Sequence, residues 1–147
     1  MERVTIKVVN TGNQELPKYE TPASSGMDLR ANLKLPVTLQ PMERMLIPTG
    51  IHIALPDGYE AQVRSRSGLA LKHGVVVTNG VGSIDADYNG DIGVILINFS
   101  EVPFTIQPGD RIAQLVISPI VQAYWEVTDT LEKTERGENG FGHTGLK

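Results

Sequence analysis

Apolar and polar residues alternate along much of this chain. Val4, Ile6 and Val8 alternate with polar neighbours, as do Ile51, Ile53 and Leu55, and then Tyr59, Ala61 and Val63. A period of two puts one side of an extended strand in a core and the other in water, so each run predicts a strand. From Ile92 to Ile97 every residue except Gly93 is apolar, which predicts a strand covered on both faces. Phe104 with Ile106, and then Arg111 to Ile117, predict two more. Turn chemistry falls between these runs: Thr-Gly-Asn at 11–13, Pro-Asp-Gly at 56–58, Tyr-Asn-Gly at 88–90 and Gln-Pro-Gly-Asp at 107–110.

Only Ser67 to His73 reads as a helix, with Ser67 as its N-cap and Gly74 just past its end. The expected fold class is therefore all-β: a jelly-roll-like sandwich or barrel with one short helix. After residue 125 the pattern stops. Glu126 to Glu135 is mostly polar, and Arg136-Gly-Glu-Asn-Gly-Phe-Gly-His-Thr-Gly145 has the composition of a flexible tail. The expected organisation is a β domain over 1–125 and an arm or lid over 126–147. No internal repeat is visible.

Composition narrows the reading. The 147 residues suffice for one domain with a core, and 40% apolar with 20% charged residues is ordinary for a globular protein. Nine prolines and fifteen glycines suit short strands and tight turns. With no cysteine, disulfides, thiolate metal sites and cysteine nucleophiles are excluded, and a reducing, cytoplasmic setting fits. No run is long and apolar enough for a membrane span, and the charged start lacks a signal-peptide core. A net charge of −4 argues against general nucleic-acid binding. An anionic ligand would need local arginines or a metal to offset that field.

Five segments hold candidate chemistry. Gly80 to Gly90 places Asp85 three residues before Tyr88 among glycines that let a backbone approach a ligand. One carboxylate, one flat ring and accessible backbone groups suit a small-molecule pocket, with Asp85 as general base and Tyr88 as a platform. For Asp87, Asn89 and Gly90 an ordinary hairpin turn explains the residues equally well. In Arg64-Ser-Arg-Ser-Gly-Leu-Ala70, the two arginines share the polar face of one strand, and Arg66 stands before a helix start that favours anions. Solvated arginines beside an ordinary helix are the alternative. Gln114, polar among apolar neighbours, suits a satisfied core amide or a ligand contact. Asp28 suits a cation, held directly or through water, or else a turn or ion pair.

The tail contains Gly140-Phe-Gly-His-Thr-Gly145, a literal G-x-G-x-x-G, but no helix can follow it, so a dinucleotide fold is rejected. Phe141 and Arg136 are unusual in an idle tail and suit a lid that orders on a ligand. His52, His73 and His143 show no metal-ligand spacing. A Ser67, His73 and Asp85 triad lacks the nucleophile-elbow motif.

In order and spacing, from Ser25 to Gly145, these five segments resemble the trimeric dUTPase family, the deoxyuridine triphosphate nucleotidohydrolases. The resemblance implies a jelly roll and a homotrimer with shared sites. The implied reaction is magnesium-dependent hydrolysis of dUTP to dUMP and pyrophosphate by water attack at the α-phosphorus. That reaction keeps uracil out of DNA and supplies dUMP. It further implies that Asp85 activates the water and bonds the 3′-hydroxyl, and that Tyr88 packs on the deoxyribose and excludes a 2′-hydroxyl. Asn79 and the backbone near Ser83, Ile84 and Gly93 would read uracil. Arg66, Ser67, Gly68 and Gln114 would hold phosphate, and Asp28 would reach Mg2+ through water. Arg136 would act as an arginine finger, Phe141 would stack on uracil, and Gly142, His143 and Thr144 would close over the phosphates.

Three positions depart from the family pattern: Asn139 where glycine is common, His143 where serine is common and Asn89 where arginine is common. The related dCTP deaminases rely on a glutamate in the strand after the hairpin, where this chain has Ile95, so that chemistry lacks its proton shuttle. A jelly-roll module without activity would have lost Asp85, Tyr88 or the tail, and all are present. Residues 126 to 136 can span roughly 35 Å at 3.3–3.6 Å each, enough to reach a neighbouring subunit.

Overall fold

In the computed structural model, residues 2–146 are described; Met1 and Lys147, the outer ends of the two expected segments, lie outside them. Eleven strands and one helix follow one another: β1 (Lys7–Asn10), β2 (Met27–Arg30), β3 (Val37–Leu39), β4 (Arg44–Pro48), β5 (Ile51–Ala54), β6 (Tyr59–Arg64), α1 (Ser67–His73), β7 (Val75–Val77), β8 (Val81–Ile84), β9 (Gly93–Asn98), β10 (Phe104–Ile106) and β11 (Arg111–Pro119). All pairings are antiparallel, in the orders β2-β11-β6-β8, β4-β9-β7, β1-β5 and β10-β3. This is the expected jelly roll.

One core joins the sheets. Leu29, Leu39, Ile47, Val94, Leu96, Ile106 and Ile112 are almost completely buried, and Ile51, Ile53, Ala61 and Val63 point inward as their alternation requires. Buried apolar area of this extent is the main source of stability. Asn98 is the one fully buried amide among the described residues. Its Nδ2 donates to the carbonyls of Leu39 and Val102, and its Oδ1 accepts from Ser100 N and Oγ. It thus ties β9 to β3 and to the loop before β10.

Several local expectations are corrected. The N-terminal strand starts at Lys7 rather than spanning Val4 to Val8, and Val8 is exposed on it. On β9 the outward Ile95 is exposed, so the strand is not covered on both faces within one chain. The residue in the N-cap position of α1 is Arg66, with extended φ −85° and no side-chain cap; Ser67 is already helical. Gly74 closes the helix as expected, at φ 64°. Arg64 ends β6, so Arg66 lies beyond the strand and not on its face.

The candidate active site

Asp85 follows directly on β8, where the chain turns through Ala86 and Asp87; the expected turn at 88–90 lies slightly earlier than its glycine suggested. The amide of Tyr88 donates to the Asp85 carbonyl at 3.1 Å, closing that turn. Among the described residues nothing pairs with the Asp85 carboxylate, which stands exposed. A crevice of about 230 Å³ is lined by Ser83, Ile84, Asp85, Tyr88, Asp91, Ile92 and Gly93. Ser83, Ile84, Asp85, Tyr88 and Gly93, all singled out from sequence, therefore meet. Asn79 does not line it: it precedes β8 at the opposite end, its amide lying toward Gly82.

The aromatic wall is held in place. Tyr88 folds over Gly90, where even a Cβ would stand 2.6 Å from Cζ, and the Tyr88 hydroxyl donates to the Asp91 carbonyl at 2.8 Å. The Asp91 carboxylate accepts the Thr49 amide on Oδ1 at 3.1 Å and the Gly50 amide on Oδ2 at 3.0 Å. Gly50 has φ 72° and sits against Gly12 too closely for any side chain. His52 Nδ1 donates to the Asn89 carbonyl at 3.0 Å. Sequence reading gave Asp91 no role and weighed His52 only as a metal ligand, because the Thr49 and Gly50 amides and the Asn89 carbonyl lie far along the chain from them.

The second group gathers at the other end of the large sheet. In the register, Gln114 of β11 lies between Asp28 of β2 and Arg64 of β6. Asp28 is clamped: Arg66 Nε lies 3.4 Å from Oδ1, Arg111 Nη1 3.2 Å from Oδ2, and Gln114 Nε2 donates to Oδ1 at 3.3 Å. Arg66 also donates to the Arg111 carbonyl at 3.0 Å. Two guanidiniums thus face the one Asp28 carboxylate. Arg66 and Arg111 line a crevice of about 270 Å³ with Leu69, Phe104, Asp110 and Ile112. The first helical bond runs from Ala70 N to Arg66 O, so the amides of Ser67, Gly68 and Leu69 precede it and remain available. A Cβ on Gly68 would meet nothing in the chain, so internal packing does not call for glycine there.

No three His, Asp or Glu side chains among the described residues form a metal cage. Asp28 Oδ1 already faces both Arg66 and Gln114, whereas Oδ2 meets only Arg111 and keeps a second lone pair. That donor set fits a water-mediated contact to a hydrated ion brought by a polyanion, and does not fit direct coordination.

The two groups are far apart. Ile84 faces Ala61, so Asp85 lies near the start of β6, whereas Arg66 lies past its end; the rise of a strand separates them by roughly 15–20 Å. The crevices share no residue. Beyond Ile120, whose amide donates to Gly58 O, every hydrogen bond of the arm among the described residues is internal: Thr128 Oγ1 to Thr130 O, Gly137 N to Thr134 Oγ1, Arg136 Nε to Asn139 O, Asn139 N to Arg136 O, His143 N to Gly140 O, Gly145 N to Gly142 O. Phe141 is fully exposed at φ 52°, and Arg136, Gly142, His143 and Thr144 are also exposed. One chain thus leaves the arm's candidates away from both crevices. No helix among the described residues is long and apolar enough to cross a membrane.

The jelly roll thus carries two crevices, one walled by a carboxylate and a tyrosine and one lined by two arginines beside a helix start. The family model described as dUTPase matches residues 12–145. The chain is 51% identical over 145 residues to a deoxyuridine 5′-triphosphate nucleotidohydrolase of Fusobacterium nucleatum subsp. nucleatum, covering 99% of each. Among solved structures it is similar to a Staphylococcus bacteriophage 80alpha dUTPase variant with dUpNHpp, at TM-score 0.87 and 28% identity, covering 97% of this chain and 99% of that one. A variant of the dUTPase from phage phi11 of S. aureus, described with a structural Mg(II) ion, aligns at TM-score 0.79 and 25% identity over 88% of this chain and 100% of that one. The chain belongs to the dUTPase family.

Proposed function

We propose that this protein hydrolyses dUTP to dUMP and pyrophosphate, and that Asp85 is its general base. The observation that carries this reading is an exposed carboxylate, unpaired among the described residues, at the mouth of a crevice walled by a tethered tyrosine, in a chain of this family. Asp85 takes a proton from water; the water oxygen bonds the α-phosphorus; the bond to the bridging oxygen breaks and pyrophosphate leaves. Uracil lies along Ser83, Ile84 and Gly93, where backbone groups read its edge. Tyr88 packs on the deoxyribose, so a 2′-hydroxyl meets the ring.

Arg66, Ser67, Gly68 and Gln114 hold the phosphates. Preset positive charge and free amides stabilise the developing negative charge without reorganising. Asp28 would hold a magnesium ion through water, and that ion would supply further charge stabilisation to the triphosphate. The separation of the two crevices supports a site made by more than one chain, and family membership points to three: a homotrimer with shared sites. The arm supports this as well: Val121, Tyr124, Trp125, Val127 and Leu131 are each about nine-tenths exposed or more, apolar surface that a second copy would cover. Arg136 then adds charge at the phosphates, Phe141 stacks on uracil, and Gly142, His143 and Thr144 close the site as a lid over residues 126–147. The absence of cysteine fits a cytoplasmic setting.

Pyrophosphate release from dUTP with Mg2+, against dCTP, dTTP and UTP, tests the reading. Turnover confined to dUTP is expected; release from dCTP or dTTP at a comparable rate contradicts it.

A further inference from the structure

We infer that Asp91 is a positioning residue for sugar selection, acting through the Tyr88 ring from a backbone cradle between β4 and β5. The inference rests on the reading of Tyr88 as the wall against the 2′-hydroxyl. Two consecutive amides, Thr49 and Gly50, point at the two oxygens of one carboxylate, at 3.1 and 3.0 Å. Such a pair of N–H groups is a fixed anion nest. The left-handed Gly50 turns the second amide inward, and Gly12 packed against it leaves no room for another residue. Thr49 is locked from its other side, its hydroxyl donating to the Ile92 carbonyl at 2.7 Å. The cradle is therefore buried and rigid, whereas the ring it supports is half exposed.

From the cradle the connection runs in one direction. The nest fixes the Asp91 side chain, hence its backbone. The Asp91 carbonyl receives the Tyr88 hydroxyl at 2.8 Å. Gly90, between them, provides the space under the ring. An exposed aromatic ring has other rotamers available, and an untethered one would admit a ribose by swinging aside. The tether removes that freedom. The charge of Asp91 matters because a carboxylate binds amides more strongly than a neutral acceptor does. Asp91 touches the ring only through its backbone, so its side chain sets selectivity without meeting the sugar.

The test is the ratio of kcat/KM for dUTP to that for UTP, in the full-length protein, for Asp91→Ala, Asp91→Asn, Tyr88→Phe and the double variant Asp91→Ala with Tyr88→Phe. Loss of one tethering hydrogen bond is expected to lower the ratio roughly tenfold in both Asp91→Ala and Tyr88→Phe. Asp91→Asn keeps an acceptor for the amides and should fall between them and the wild type. The double variant should be no less selective than Tyr88→Phe alone, because both changes cut the same connection. Equal loss of dUTP and UTP turnover in Asp91→Ala, leaving the ratio unchanged, overturns the inference, as do additive effects in the double variant. If Asp91→Ala fails to fold, Tyr88→Phe decides: a lowered ratio supports the tether and an unchanged one overturns it. Wild-type preference for dUTP over UTP tests the reading of Tyr88, and its change in the variants tests the tether, so the two fail separately.

Discussion

Replacing Gly90 by alanine puts a methyl group where the Tyr88 ring lies. The added carbon would stand 2.6 Å from Cζ and 2.9 Å from Cε2, against a normal carbon contact of about 3.5–4.0 Å, so the ring must shift by roughly 1 Å or more. Gly90 does not have a left-handed φ, so alanine strains nothing in its own backbone. The ring is half exposed and can swing into solvent, losing the hydroxyl bond to Asp91. That bond contributes about 0.5–1.5 kcal/mol, while alanine regains about 0.4–1 kcal/mol by restricting the unfolded chain. Net stability should therefore change by less than about 1 kcal/mol, whereas the wall against the sugar is displaced. Urea unfolding and parallel kcat/KM measurements with dUTP and UTP separate the two effects. The expected outcome is near-native stability with turnover of dUTP lowered and the preference over UTP reduced. A loss above about 3 kcal/mol would mean that the loop moves instead of the ring, and an intact preference would mean that the ring is not the wall.

Asp85→Asn removes the proton acceptor while touching no partner among the described residues, so turnover should fall by at least about a hundredfold with the unfolding midpoint unchanged. Deleting residues 136–147 should lower turnover sharply yet leave thermal unfolding of the β domain intact, because the arm shares no hydrogen bond with it among the described residues. Asn98→Leu strips partners from the Leu39 and Val102 carbonyls and the Ser100 amide inside the protein, and should cost about 3 kcal/mol in urea unfolding without altering the site. Asp28→Ala frees two partly exposed arginines, so stability should change by about 1 kcal/mol or less, while kcat/KM falls as Arg66 loses its orientation.

The longer strands were legible because alternation over several residues leaves one parity buried: Ile51 and Ile53, or Ala61 and Val63, fit without exception. Strands β2, β3, β4, β7 and β8 gave no usable signal. Two span only three residues, β4 ends in proline and exposes Leu46, and the glycine at position 82 made β8 read as loop. The five candidate segments were visible because unusual residues cluster within each. What held them in place was not visible. Asp91 depends on amides about forty residues earlier, and Asp28 on an arginine and a glutamine more than eighty residues later. Nor did spacing reveal that Asp85 and Arg66 lie toward opposite ends of β6; only the register of β6 with β8 does.

Because that register parts Asp85 from Arg66, mixing two variants shows whether one site draws on two chains. Asp85→Asn and Arg66→Gln chains, each inactive alone, are unfolded together at equal amounts and refolded. If a site takes Asp85 from one chain and Arg66 from another, about a quarter of all sites in the random mixture hold both intact groups, and dUTP turnover returns to roughly that fraction of wild type. If one chain supplied both groups, every site would contain one lesion, and turnover would stay at the level of the separate variants.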